Sequence, residues 1–309
     1  MHMEQVLPRT TPVSWSQRVP LPLLIAAFCL LWATGFSGAK LAVTDCPPLI
    51  ALTVRFLLTA AVVLGTAPLL GVRFDLGRRD VLVFAVLGIA NQAAYLGFGY
   101  VGLRSISSGL AALVISANPV LTAVLAAFLL NESMTWRKAA GLVLGVAGVA
   151  FVVEHRLAGG ADHPIGIAFA VAALVSLVAG TILFKVLAPK GGYWIGNGVQ
   201  SLAAGLATLP FAASFEHVGD IVPSWRLIGA LLWLALVVSI FAYVLWFHML
   251  KTCGATAASA YHFVMPPLGL LLGWSLLGEH VAPADLVGIV PVAIGIWLVT
   301  HPATVRGRT

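Results

Sequence analysis

Ten apolar runs, each long enough to cross a bilayer, follow one another along this chain with only a few residues between them. They lie at about 20 to 38, 47 to 70, 80 to 101, 107 to 130, 137 to 154, 164 to 187, 193 to 214, 226 to 249, 254 to 277 and 282 to 300, and roughly 17 to 25 such residues suffice for a helical span. Charged residues make up 9% of the chain and the mean hydropathy is +1.01, whereas a soluble domain is about a quarter charged. The predicted fold is an all-α integral membrane protein of ten transmembrane helices. Residues 1–19 and 301–309 are tails, and the polar start followed by nine further spans reads as an uncleaved first helix rather than a secretory signal.

A net charge of +6 would point toward nucleic acid in a soluble chain. Here the placement of the charge points to topology instead. Twelve of the seventeen Lys and Arg residues, among them Arg73, Arg78, Arg79, Arg137 and Lys138, fall on the side of the N-terminus, and four fall on the other side: Lys40, Arg104, Arg156 and Arg226. By the positive-inside rule both termini are cytoplasmic. The three cysteines are scattered, so no disulfide, metal site or cofactor is expected.

A shift of 147 residues lays the fourth and fifth spans over the ninth and tenth without a gap. Pro119 then falls on Pro266, Glu132 on Glu279, Gly141 on Gly288 and Gly148 on Gly295, a register harder to reach by chance than leucine on leucine. The chain divides into a first repeat at 20–155 and a second at 164–300. Five helices per repeat is an odd number, so the second repeat enters the membrane from the opposite side. Inverted repeats are an architecture of secondary transporters, since two quasi-equivalent halves can exchange roles and open to either side.

The duplicated prolines sit near the middle of their spans. A proline removes the hydrogen bond to the carbonyl four residues back, which frees the carbonyls of Ile115 beneath Pro119 and of His262 and Phe263 beneath Pro266 and Pro267. Unpaired backbone at that depth is tolerated where it faces a cavity or another helix. Kinks at Pro119, Pro266 and Pro267 are read as lining a central site.

The order of proline, Leu- and Ala-rich half-helix, LNE or LGE and a glycine-rich helix resembles the ten-helix drug/metabolite transporter superfamily, and in particular its EamA-type permeases. WATGFSGAK at 32 to 40, Arg55–Phe56 and LLGEHVAPADLVG at 276 to 288 carry the resemblance, which extends over essentially the whole chain. It implies an inner-membrane permease, often one that exports amino acids, related metabolites or toxic small molecules.

Several polar side chains fall inside the spans. Arg55 is roughly 13 Å from the outer end of the second, by a rise of 1.5 Å per residue. Snorkelling is a poor escape at that depth, so a substrate carboxylate is one partner, and helix-end carbonyls or Asp45 are the other. His262 is either a hydrogen-bonded packing residue or a ligand-binding or proton-sensing group. Asn91 and Gln92 in the third span and Asn118 before the kink are near the midplane, while Asn197 and Gln200 give the seventh a polar face; such amides bond either substrate or neighbouring helices. The rings of Trp32, Tyr95, Tyr243, Trp246 and Tyr261 lie within spans, Tyr95 and Tyr243 in near-equivalent places. Lys40 and Lys185 are read as snorkelling, and Glu132 and Glu279 as caps for the helices that follow them. The expected substrate site is Trp32, Arg55, Asn91, Tyr95, Asn118, Tyr243, Tyr261 and His262.

Rings, amides and few charges suit an amphipathic small molecule and disfavour polyanions. The expected partners are that solute and the lipid bilayer, with no nucleic acid and the chain as a monomer. Paired membrane aspartates, an HExxH-like set and a serine with a base in reach are all lacking in the spans, so no enzyme is expected. The reading is a secondary transporter exporting amino acids, with a multidrug exporter, an importer or an antiporter as alternatives.

None of the eleven acidic residues lies deep in a span, and proton-coupled carriers commonly titrate a carboxylate there. Transport is then driven by the solute's own gradient or coupled through histidine. The initial rate is expected to be indifferent to an imposed proton gradient, or to become so in His262→Ala; a large dependence that survives that substitution contradicts it.

Overall fold

The computed structural model describes residues 19–129, 135–160, 162–190, 192–249, 252 and 261–300. Glu132 lies outside them. The described residues form helices and no strands: α1 (Leu21–Asp45), α2 (Pro48–Thr66), α3 (Arg78–Leu103), α4a (Ser108–Ile115), α4b (Asn118–Leu129), α5 (Trp136–Ala158), α6 (Pro164–Leu187), α7 (Tyr193–Phe215), α8 (Trp225–Met249), α9 (Met265–Leu277) and α10 (Pro283–Thr300). Eight stretches are long and apolar enough to cross a membrane: α1, α2, α3, Ser108–Leu125, α5, α6, Trp194–Phe215 and α8. Met265–Leu277 and Pro283–Gly295 are shorter apolar helices.

Helix starts are written locally. Proline occupies the first turn of α1, α2, α6 and α9, where its missing N–H is not needed. Ser107, Thr135 and Ser224 accept from backbone N–H groups of the first turns of α4a, α5 and α8, the usual N-cap role. The two predicted kinks are breaks. α4a ends at Ile115, a turn through Ser116 and Ala117 follows, and α4b restarts with Pro119 as its second residue; Pro266 and Pro267 open α9 after a 3-10 turn at Tyr261–Val264.

Two departures from α geometry were not foreseen. Gly88–Ala94 in α3 and Trp233–Ala242 in α8 are π-helical, and a 147-residue shift carries the first to 235–241, within the second. The packing has the same character. α3 lies on α6 and α8 on α1, α4a and α4b on α6 and α9 on α1, while α2 pairs with α7, α4a with α9 and α5 with α10. Exchanging α1–α5 for α6–α10 turns this set of contacts into itself. The α5–α10 contact is a backbone approach: a Cβ on Gly148 would stand 2.8 Å from the Gly288 carbonyl oxygen.

The end of the bundle near the C-terminus of α1 is tied by buried charge. Arg156 donates through Nε and Nη2 to both carboxylate oxygens of Asp285, at 2.8 and 2.7 Å, and through Nη1 to Asp162 at 3.0 Å. Asp162 also accepts from the Ser107 backbone N–H. Glu279 accepts from the N–H groups of Ser108 and Gly109 and from the Ser108 hydroxyl. It is therefore a helix cap, as expected of its chemistry, but it caps α4a across the bundle and not the helix that follows it. Lys40 does not snorkel: helix α1 runs seven residues past the predicted end at 38, and the ammonium donates to the carbonyls of Leu103 and Ile106 at 2.6 and 2.8 Å.

Breaking a buried ion pair by removing one partner costs about 3–5 kcal/mol. Asp285→Ala is expected to lose that order of stability, seen as a lowered midpoint in thermal unfolding of the detergent-solubilised protein. An unchanged midpoint would show that Arg156 is held by Asp162 and Ser107 alone.

Candidate functional site

Arg55 projects from α2 into the centre of the bundle and is 2% exposed. Its Nε donates to Ser239 Oγ at 2.9 Å and its Nη1 to the Tyr100 hydroxyl at 2.8 Å, with the guanidinium carbon 5.9 Å from the Tyr100 ring centre. Neither predicted protein partner is used. Asp45 is instead taken by Arg226 and by Ser224, whose hydroxyl donates to it at 2.5 Å. Among the described residues no carboxylate forms an ion pair with Arg55. A buried cation held only by hydroxyls keeps most of its charge uncompensated, which is costly unless a counter-charge visits it.

The π-helical turn of α8 presents Ser239 in two directions. Its hydroxyl meets Arg55, and its carbonyl accepts from Asn197 Nδ2 on α7 at 2.8 Å. Tyr100 comes from the α-helical end of α3, just beyond the other π turn.

Two chambers meet at this point. The first is lined by Arg55, Trp32, Tyr95, Tyr100 and Tyr243 with aliphatic residues of α1, α3, α4a and α6, and has about 600 Å³ of space including its open mouth. The second, of about 500 Å³, lies toward the N-terminal end of α3 and contains Asn91, Thr181, Gln200, Trp246 and His262. Trp32 and Tyr243 line both, their ring centres 5.3 Å apart, and form the partition. His262 is fully buried and boxed by rings, 5.5 Å from Trp32 and 5.1 Å from Trp246, each edge to face.

The structure thus brings Trp32, Arg55, Tyr95 and Tyr243 to the first chamber and Asn91, His262, Trp32 and Tyr243 to the second. It leaves three predicted groups apart from both linings. Asn118 is buried at the α4 break, where its Oδ1 accepts from the Thr122 hydroxyl at 3.0 Å. Tyr261 is half-buried against the core, and its carbonyl accepts from Cys29 Sγ. Pro119, Pro266 and Pro267 start their half-helices without facing either chamber. Tyr100, Thr181 and Ser239 were not singled out as site residues; Tyr100 was visible as a further ring in the third span, whereas Ser239 and Thr181 carried no signal in a chain with many apolar-span hydroxyls.

A multi-pass helical protein with a small-molecule cavity at its centre and a buried, uncompensated charge in that cavity has the form of a membrane transporter. The chain belongs to the EamA-like transporter family, whose model matches residues 20–154 and 164–301. An uncharacterized transporter of Archaeoglobus fulgidus is 26% identical over 279 residues, 90% of this chain and 98% of that one. A probable amino-acid metabolite efflux pump of Salmonella typhimurium is 25% identical over 280 residues, 87% of this chain and 91% of that protein. A solved crystal structure with 20% identity, covering 90% of this chain and 96% of its own, superposes with a TM-score of 0.67 and shares the fold. The protein is a multi-pass membrane transporter for a small molecule.

Proposed function

We propose that it is a secondary transporter that exports amino acids, binding the solute carboxylate at Arg55 and its apolar part against Trp32, Tyr95 and Tyr243. The observation that carries this reading is the 2%-exposed guanidinium with hydroxyl partners and no carboxylate partner, in a chamber otherwise walled by rings and aliphatic groups. A zwitterion supplies the missing negative charge, and its side chain matches the walls. A cationic drug would meet the guanidinium's repulsion, which disfavours the multidrug alternative. The Salmonella relative's designation as a probable amino-acid metabolite efflux pump agrees with this substrate class.

The cycle is alternating access in a ten-helix chain, with inverted repeats at 20–155 and 164–300 and both termini cytoplasmic. Support for the repeats comes from the contacts that survive exchange of α1–α5 for α6–α10, the π turns in register, and the proline breaks in α4 and before α9. Support for the orientation is the twelve-to-four split of basic residues. The chain works as a monomer in the inner membrane, with the solute as its ligand and no cofactor or chemical step.

Uptake of a panel of labelled amino acids into liposomes holding the purified protein tests this directly. Hydrogen bonds to a charged group contribute about 1.5–3 kcal/mol, so Arg55→Leu is expected to lower apparent affinity by at least tenfold. Transport of a cationic dye with no amino acid carried, or full amino-acid affinity in Arg55→Leu, overturns it.

A further inference from the structure

The second chamber is mostly ring and aliphatic surface, yet two amides bring unsatisfied polar atoms to it. Gln200 of α7 is 1% exposed and its Nε2 has no hydrogen-bond partner; Asn91, in the π turn of α3, leaves its Oδ1 without one. A buried polar group left unpaired costs about 1–3 kcal/mol, and native interiors hold few of them. Pairing is available nearby, since Gln92 accepts from the Ser201 hydroxyl; Asn197 donates to the Ser239 carbonyl and leaves its own Oδ1 open, outside the chamber lining.

The seat of Asn91 is built for it. Its amide lies against Gly180 of α6, where a Cβ would collide with the amide oxygen, so a side chain at 180 and this placement of Asn91 exclude one another. The hydroxyl of Thr181, also on the chamber wall, is spent on the Leu177 carbonyl at 2.8 Å. What remains open is one acceptor, Asn91 Oδ1, and one donor, Gln200 Nε2. Among the described residues no lysine, arginine or carboxylate lines this chamber. The pair complements a neutral group that both donates and accepts, a carboxamide or a hydroxyl.

We propose that this chamber is a second subsite, which reads a neutral hydrogen-bonding side-chain group of the solute whose carboxylate Arg55 holds. The proposal rests on the Arg55 reading above. A continuous set of contacts links the two places: Arg55 to the Ser239 hydroxyl, the Ser239 carbonyl to Asn197, and Gln200 one helical turn beyond Asn197. The solute side chain reaches the amides past the Trp32–Tyr243 partition. The preferred substrates are then amino acids with a carboxamide or hydroxyl, chosen over apolar ones of similar length.

Competition binding of labelled L-glutamine against L-methionine, on the purified full chain in lipid nanodiscs, tests the subsite. A site built to bond a polar group rejects the analogue that lacks it, so glutamine is expected to be preferred at least tenfold, and the ratio is expected to fall toward one in Gln200→Leu and in Asn91→Leu. Because Gln200→Leu removes an unpaired polar group, its thermal midpoint is expected to be no lower than that of the parent. A ratio near one in the parent, a preference unchanged in both variants, or a large loss of stability in Gln200→Leu overturns the subsite. Arg55→Leu separates the two readings: equal loss of both ligands supports the carboxylate site, whereas undiminished binding of both removes it. A glutamine preference that persists in Arg55→Leu and vanishes in Gln200→Leu keeps the amide subsite while the Arg55 reading fails.

Discussion

A backbone in hydrocarbon has no water to bond, so every N–H and carbonyl must find its partner within the protein. This constraint makes the described residues helical, and it also decides where helices are allowed to be imperfect. The α4 break, the 3-10 turn before α9 and the π turns of α3 and α8 all lie inside the bundle. At the first, Ser116 and Ala117 still bond back to Ala112, Leu113 and Val114. At the π turn of α8 a side chain from another helix enters the ladder, Asn197 on the Ser239 carbonyl. Irregular backbone is thus confined to places where a neighbour repairs it, and those places surround the chambers.

The second controlling quantity is charge balance. Two guanidinium groups are buried among the described residues, and they are treated in opposite ways. Arg156 faces two carboxylates with good bidentate geometry and is satisfied within the fold. Arg55 meets only two hydroxyls. A buried pair is weak evidence for net stability, because desolvation offsets the attraction; its use here is to fasten α5, α10 and the start of α6 at one end. A buried unpaired cation cannot be explained as a fastening. The same comparison distinguishes Gln92, which accepts from Ser201, from the open ends of Asn91 and Gln200 on the chamber wall.

What sequence made legible follows the range of the interactions. The eight long apolar helices, the breaks at the duplicated prolines and the helix-capping chemistry of Glu279 depend on local composition and are legible in it. The apolar run ends at 38, just before Lys40, yet helix α1 continues and carries that lysine to carbonyls more than sixty residues away. Arg156 and Asp285 are 129 residues apart, and nothing in either neighbourhood names the other. Asn118 has the local signature of a site residue, next to a midplane proline, yet its side chain turns along its own helix to Thr122. The π turns left no trace that periodicity could register, since one extra residue per turn does not disturb an all-apolar pattern.

The frame and the site differ in symmetry, and the difference bears on how such a carrier works. The main contacts between helices survive exchange of the first five for the last five, whereas α1 on α4a and α4b on α5 and α10 have no counterpart of similar extent. The polar groups do not survive it. Where α2 meets α8 the contact is the charged Arg55–Ser239 bond, and where α7 meets α3 it is the neutral bond of Ser201 to Gln92. Under the proposed alternating access, two similar halves would exchange conformations at little cost, since each conformation reuses the other's contacts. In the proposed binding mode the one cation and the pair of amides orient the solute, carboxylate toward one chamber and side chain toward the other. In that proposal the similar halves supply the motion and the asymmetric centre supplies the selectivity.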